Sequence, residues 1–233
     1  MRTLEKQLNG VDRGQHLSKQ LAAWEIVSVT TSGLIAAWAV HTFAGKGSWV
    51  GAIPISLALT LIFFSHRERG EGLVKLGLRL DNFWPAMRML LIPTGVAVVS
   101  FLIANWLLEG PGVVLRPARM RLLFVPMWAL FQQYVLQAFV NRRAQIVFGS
   151  NIQSVVLVGV VFGVLHLPSP FLALLAFVGG SVWAYIYQRQ PNLLALTLSH
   201  TIISIALSLT MLPRFSYLLR IGIKYFGLSA LSV

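Results

Sequence analysis

Apolar residues along this chain fall in long unbroken runs rather than in amphipathic stripes. Runs near the length that crosses a bilayer as a helix, about 20 residues, occur at 21–44, 48–65, 84–108, 121–141, 151–167, 171–188 and 192–212. The fifth and sixth are short, and only a turn holding Pro168 and Pro170 separates them. The pattern predicts an all-α protein, a polytopic transmembrane helix bundle of seven or eight spans. The eighth is the amphipathic tail 213–233, with Arg220 and Lys224, which either lies in the interface or crosses the membrane. Residues 1–20 read as a polar N-terminal segment and 21–212 as the bundle. That first segment is too polar for a signal-peptide core, and the run after it lacks a cleavage site, so the first run is a retained helix. Pro93 is expected to kink the third span, and Gly110-Pro111-Gly112 marks a turn.

Composition places these helices in lipid. Of 233 residues, 56% are hydrophobic and 11% charged, and the mean hydropathy is +0.73. A soluble domain carries roughly 25% charged residues, so this chain has too little polar surface to cover a water-facing globule. Lys and Arg number 19 against 7 Asp and Glu, a net charge of +12. The cations sit mostly between the apolar runs. That pattern implies membrane topology and contact with anionic head groups, not nucleic acid. The expected partner is therefore the lipid bilayer, and no nucleic acid is expected. Arg2, Lys6, Arg13 and Lys19, then Arg67, Arg69, Lys75 and Arg79, then Arg142, Arg143 and Arg189 fall on one side if the spans alternate. Lys46, Arg116, Arg119 and Arg121 fall on the other. The balance puts the N-terminus in the cytoplasm. There is no cysteine, hence no disulfide and no thiol nucleophile. This suits a bacterial inner membrane.

Polar side chains inside the spans are costly and call for a role. Three spans carry polar pairs four residues apart, a spacing that shares one helix face. The fourth has Gln133 and Gln137, with Gln132 beside them and Asn141 a turn on. The fifth has Phe162 and His166, and the seventh His200 and Ser204. Each pair reads equally as interhelical hydrogen-bonding glue or as part of a site.

The order and context of these pairs resemble a known family. Phe131-Gln132-Gln133-Tyr134-Val135-Leu136-Gln137 is similar to the first motif, Glu-Glu-x-x-x-Arg, of the CAAX-protease and bacteriocin-processing (CPBP, or ABI) intramembrane peptidases. Phe162 to His166 resembles the second motif, Phe-x-x-x-His, and His200 to Ser204 the third, His-x-x-x-Asn. Gly179-Gly180, Tyr185, Tyr187, Arg189 and Asn192-Leu193 resemble the glycine-rich helix and the turn before the last motif. The resemblance covers about residues 121–210, the expected peptidase-like core.

The resemblance implies that a glutamate and a histidine activate water against a peptide carbonyl, while a second histidine and an asparagine hold the oxyanion. Carried over, the base position falls on Gln133, with Gln132 adjacent and Gln137 in place of the arginine. His166 is the water-orienting partner, and His200 and Ser204 are the oxyanion donors. Phe162 and Tyr134 are the candidate substrate contacts, and a membrane-associated peptide or protein is the candidate substrate. The two motif glutamates and the arginine are all Gln here, a joint change that leaves no unpaired buried cation. Gln orients water but cannot accept a proton as a general base. No Asp or Glu follows Glu109. Glu25, the carboxylate in the first span, is expected in the interface beside Trp24. Arg142 and Arg143 are expected to mark the end of the fourth span. A divalent metal such as zinc would have to rest on His166 and His200 with a Gln, a thin set against the three protein ligands usual in catalytic zinc sites. Three readings stand: a peptidase using a histidine as base, a non-catalytic relative that binds a peptide or lipidated partner in the same cavity, and an unrelated transporter or scaffold.

Overall fold

The computed structural model describes residues 2–40, 49–109, 119–210 and 219–222. The turn at 110–112, Lys46, Arg116 and most of the 213–233 tail lie outside the described residues. Among those described there are helices and no strand: α1 (Arg2–Ile35, continued by a π turn, Ala36–Val40), α2 (Ala52–Glu68), α3 (Phe83–Glu109), α4 (Arg119–Gln133), a π-helical stretch Tyr134–Asn141, α5 (Arg142–Phe148), α6 (Ile152–Val164), α7 (Pro170–Arg189) and α8 (Leu193–Thr210). Among the described residues, five stretches are long and apolar enough to cross a membrane: Gly14–Trp38, Trp49–Glu68, Phe83–Leu108, Pro170–Arg189 and Leu193–Thr210. Apolar side chains such as Leu57, Ile92, Met127 and Leu174 are exposed on the outside of the bundle, where lipid is their solvent. The protein is an integral membrane helix bundle.

The other two expected spans take different forms. The fourth belongs to a continuous helical run from Arg119 to Phe148, with π turns in its middle. The fifth forms α6, only 13 residues long, or about 20 Å at 1.5 Å per residue. That is shorter than the roughly 30 Å hydrocarbon core. Pro93 lies within α3, which stays helical on both sides of it.

Local chemistry sets the ends of the inner helices. Gly149, at φ 83°, ends α5. Asn151 caps α6, its side chain accepting from Gln153 N and Ser154 N while Ser154 returns a bond to the cap. Ser169 caps α7 with Pro170 in its first turn. The side-chain oxygen of Asn192 accepts from Ala195 N at 2.9 Å at the start of α8.

Helices α6 and α7 pack together through glycine. A Cβ on Gly159 would lie 2.1 Å from Ser181 Oγ and 2.8 Å from Phe177 O, and one on Gly180 would meet Phe162 at 3.1 Å. Small residues let membrane helices approach this closely. The approach also sets where Phe162 and His166 stand. Helix α8 packs on α3 and α4, and α1 packs on α2 and α5.

One end of the bundle closes over a buried ion network. Arg143 is 0% exposed. Its Nε lies 2.9 Å from Glu25 Oε2 and its Nη1 2.9 Å from Glu71 Oε2. Arg143 also donates to Ser65 Oγ at 2.8 Å, and Ser65 donates to Glu25 at 2.6 Å. Arg69 reaches Glu25 at 3.3 Å, Arg142 donates to Glu71 Oε1 at 2.8 Å, and His66 Nδ1 lies 2.7 Å from Glu71. The cluster ties α1, α2, the connection after α2 and α5 to one another. Glu25 thus does not face outward beside exposed Trp24. It is turned inward because a buried guanidinium needs a counter-charge. Arg143 likewise sits beneath the connection rather than at an exposed span end.

The same connection is docked on the turn between α7 and α8. Leu193 N donates to Gly77 O at 2.8 Å, Tyr187 donates to Leu76 O at 3.0 Å, and Asn192 donates to Arg79 O at 2.8 Å. Gly77, at φ +90°, leaves only 3.2 Å between a would-be Cβ and the backbone of Pro191, Asn192 and Leu193. Tyr187, Asn192 and Leu193, picked out in sequence by their motif context, therefore clamp this segment.

Two outcomes follow. Gly159→Val should cost about 1–3 kcal/mol by overpacking, read as a lower melting temperature in detergent or nanodiscs. Glu71→Gln should cost about 2 kcal/mol, a value discounted for solvent at the half-buried Arg142. Burial works to raise the Glu71 pKa, but the bonds from His66 and Arg142 and the charges of Arg143 and Arg142 prevail and hold it at about 2. A depressed carboxylate contributes stability that is complete above its unfolded pKa and is lost as pH falls toward about 2. The wild type should lose that increment between about pH 4.5 and 2, and Glu71→Gln should lack this limb in pH-dependent melting.

Candidate active site

Two of the three polar pairs, and Gln133 of the other, meet where α4, α6 and α8 approach. Gln132, Phe162, His166, His200 and Ser204 all line one cavity of about 360 Å³. Gln133 stands behind the wall, 0% exposed, with its amide nitrogen 3.2 Å from His200 Nδ1. The convergence of Gln133, His166 and His200 is what chance motif matches would not produce.

Hydrogen bonding sets the form of both histidines. His166 follows the C-terminal end of α6, where helix carbonyls lose their intrahelical partners. Its Nδ1 lies 2.7 Å from Phe162 O. A carbonyl only accepts, so Nδ1 carries the proton and Nε2 of the neutral ring keeps its lone pair. With the Gln133 amide nitrogen toward it, His200 Nδ1 is an acceptor and the proton of the neutral ring lies on Nε2. One histidine is thus prepared to accept a proton and the other to donate a hydrogen bond. Phe162 lies edge-on between them, 4.5 Å from the His166 ring and 6.0 Å from His200.

Gln137 and Tyr134 go elsewhere. Gln137 accepts from Asn141 at 2.9 Å, and Asn141 continues to Ala184 O, Gln145 and Gln188. Gln188 reaches Ser154 at 3.0 Å. This is a neutral amide chain along the bundle interior. In the wider i→i+5 turn of a π-helix, side chains four apart no longer share the face they share in an α-helix. Gln137 therefore does not follow Gln133 to His200. Tyr134 packs 5.8 Å from the His66 ring, on the side of the ion network, and is not among the cavity-lining residues.

Several residues of the site carry no motif signal. Trp183 stacks on His200, with ring centroids 4.4 Å apart and planes 30° apart. Its indole N–H donates to Ser199 Oγ at 3.2 Å, and Ser199 shares a 2.7 Å bond with Thr94 Oγ1 of α3. Trp128 lines this cavity and a second, apolar one of about 290 Å³ between α1, α2 and α6, which shares Gln132, Phe162 and His166 as its wall. A buried indole nitrogen needs an acceptor. That rule flags Trp183 in a span but not its partner.

The donor set does not fit a metal. Among the described residues no group of three or more His, Cys, Asp or Glu side chains could hold one. With the His200 proton on Nε2 and its Nδ1 bonded to Gln133, only His166 keeps a free ring lone pair, and the carboxylates of Glu25 and Glu71 are held in the ion network. Two imidazoles fall short of the three protein ligands that catalytic zinc takes.

The model of the family described as type II CAAX prenyl endopeptidase Rce1-like matches residues 117–206. Over that stretch the chain is similar to the CPBP-type peptidases its motifs resemble. The match begins at α4 and ends within α8, so it holds all three polar pairs. No curated protein and no solved structure matches the chain. Within this stretch Gln133, the position that resembles the family's base, is an amide bonded to His200. Its Oε1 is buried without a protein partner.

Gln133→Ala should leave His200 Nδ1 unpaired and cost about 1–2 kcal/mol, while Gln132→Ala on the cavity wall should stay within about 0.5 kcal/mol of wild type. Thermal unfolding of both variants in one detergent checks the contrast.

Proposed function

We propose that this is a CPBP-type, peptidase-like membrane protein whose cavity takes the backbone of a membrane-associated peptide, and in which hydrolysis is impaired. The observation that carries this reading is the pairing of Gln133 with His200 at the position of the family's base. An amide there can orient a water or a peptide group, but it cannot take the proton that a water nucleophile must lose. His166, Gln132, Phe162 and Ser204 around one cavity supply what an extended backbone needs: an acceptor, donors and an apolar edge. The family's name suggests a lipidated, CAAX-type C-terminus as the first ligand to try.

A second reading has its own support. His166 holds a free Nε2 lone pair in the cavity, and neutral imidazole is a competent base near neutral pH. His200 Nε2–H would then face the developing oxyanion. Slow hydrolysis through His166 needs no carboxylate.

The orientation belongs to the same proposal. The connection after α2, Arg142 and the α7–α8 turn meet at one end through the bonds of Glu71, Gly77 and Asn192. Arg69, Lys75, Arg79, Arg142 and Arg143 gather there, which supports a cytoplasmic N-terminus, and we place the protein in a bacterial inner membrane.

A fluorogenic prenylated CAAX peptide and the protein reconstituted in nanodiscs test the two readings. The expected result is saturable binding with little or no cleavage by wild type, and a gain of at least 10-fold in cleavage for the triple change Gln132→Glu, Gln133→Glu and Gln137→Arg. Wild-type turnover as fast as that variant's, abolished by His166→Ala, would replace the first reading with the second. A lack of binding by either protein would sink the assignment of the cavity to such a peptide.

A further inference from the structure

We infer that Trp183 is a positioning residue for His200, held in place by a three-helix hydrogen-bond chain, Thr94–Ser199–Trp183. This rests on the reading of the cavity as the working site. His200 has three neighbours that could set its ring. Gln133 bonds one edge at 3.2 Å. Phe162 presents an edge 6.0 Å away at 86°. Trp183 covers a face at 4.4 Å and 30°. A single hydrogen bond to Nδ1 leaves an imidazole free to rock about that contact. A stacked indole removes that freedom, because any tilt drives the rings into each other or opens a gap.

The stack constrains His200 only if the indole is itself fixed, and the chain fixes it. Trp183 is 4% exposed, Ser199 1% and Thr94 6%. The indole N–H donates to Ser199 Oγ at 3.2 Å, and Ser199 and Thr94 share a 2.7 Å bond. Ser199 also precedes His200 in α8, so the acceptor that orients the indole and the ring under that indole are adjacent in one helix. The three residues come from α3, α7 and α8. A hydroxyl both accepts from an N–H and donates onward, so the buried polar atoms of the chain are satisfied together. None of the three belongs to the motif pairs. Their effect is on the ring plane and proton position of His200, which decide whether Nε2–H points into the cavity.

The test reads the ring directly. Full-length protein in nanodiscs is labelled with ¹⁵N,¹³C-histidine, and His200 signals are assigned by their loss in His200→Gln. The wild type should show His200 as one neutral tautomer, with the ring-current displacement of a stacked aromatic. Ser199→Ala, which keeps both rings, should give mixed tautomers or exchange broadening, and Thr94→Val a weaker version. Trp183→Phe, which keeps an aromatic face but loses the N–H, should also mix the tautomers, and Trp183→Leu should remove the ring-current displacement. His166 signals should stay in place throughout and serve as the internal control. A folded Ser199→Ala or Trp183→Phe protein whose His200 tautomer matches wild type would overturn the inference, even if its melting temperature falls. Loss of peptide binding by wild type with the His200 signature intact would instead strike only the cavity reading.

Discussion

A guanidinium with no route to solvent has to be neutralised by the protein itself, and Arg143 imposes that condition on this bundle. It is fully enclosed and is answered by Glu25 from α1 and Glu71 from the connection after α2. Removing either partner would strand a buried charge, which is far more costly than losing a surface pair. The network therefore pins the N-terminal helices against the helical run that carries Gln132 and Gln133. The connection it holds then reaches the α7–α8 turn through Gly77 and Asn192, and so sets the start of α8 and the depth of His200. The charged end and the neutral cavity are mechanically one assembly.

Charge is divided cleanly between those two regions. Glu25, Glu71, Arg69, Arg142 and Arg143 meet at one end, while the cavity is lined by amide, hydroxyl, imidazole and aromatic groups. In a bilayer, polar groups that lack water must satisfy one another. Apart from Gln137 Nε2, which has no protein partner, the Gln137–Asn141–Gln188–Ser154 chain does so without any ionised member, and an all-amide set strands no buried charge. Within the stretch that matches the family model, Gln133 stands at the position that resembles the motif's carboxylate.

The helices themselves, the three polar pairs and their order were legible in the sequence. Long apolar runs report a lipid environment directly, and Phe162–His166 and His200–Ser204 fall on single helix faces by spacing alone. Gln133 and Gln137 show where that reasoning stops. Equal spacing predicted a shared direction, but the π-helical stretch from Tyr134 separates them. Tyr134 parts from the cavity in the same way and packs against His66. The shortness of α6 was legible as a short run, whereas its glycine-mediated seating on α7 was not.

By itself the sequence determined the membrane setting, the helical class, the family-like core and the absence of a carboxylate in that core. These depend on composition and local periodicity, which each residue carries wherever it is placed. Only the tertiary structure decided that Glu25 is a counter-ion inside the protein, that the His166 tautomer leaves Nε2 free, and that Trp183, Ser199 and Thr94 surround His200. Those facts depend on which atoms from distant segments come within about 3 Å of one another. Buried polar groups take whatever partner packing brings to them, and no local pattern encodes that choice.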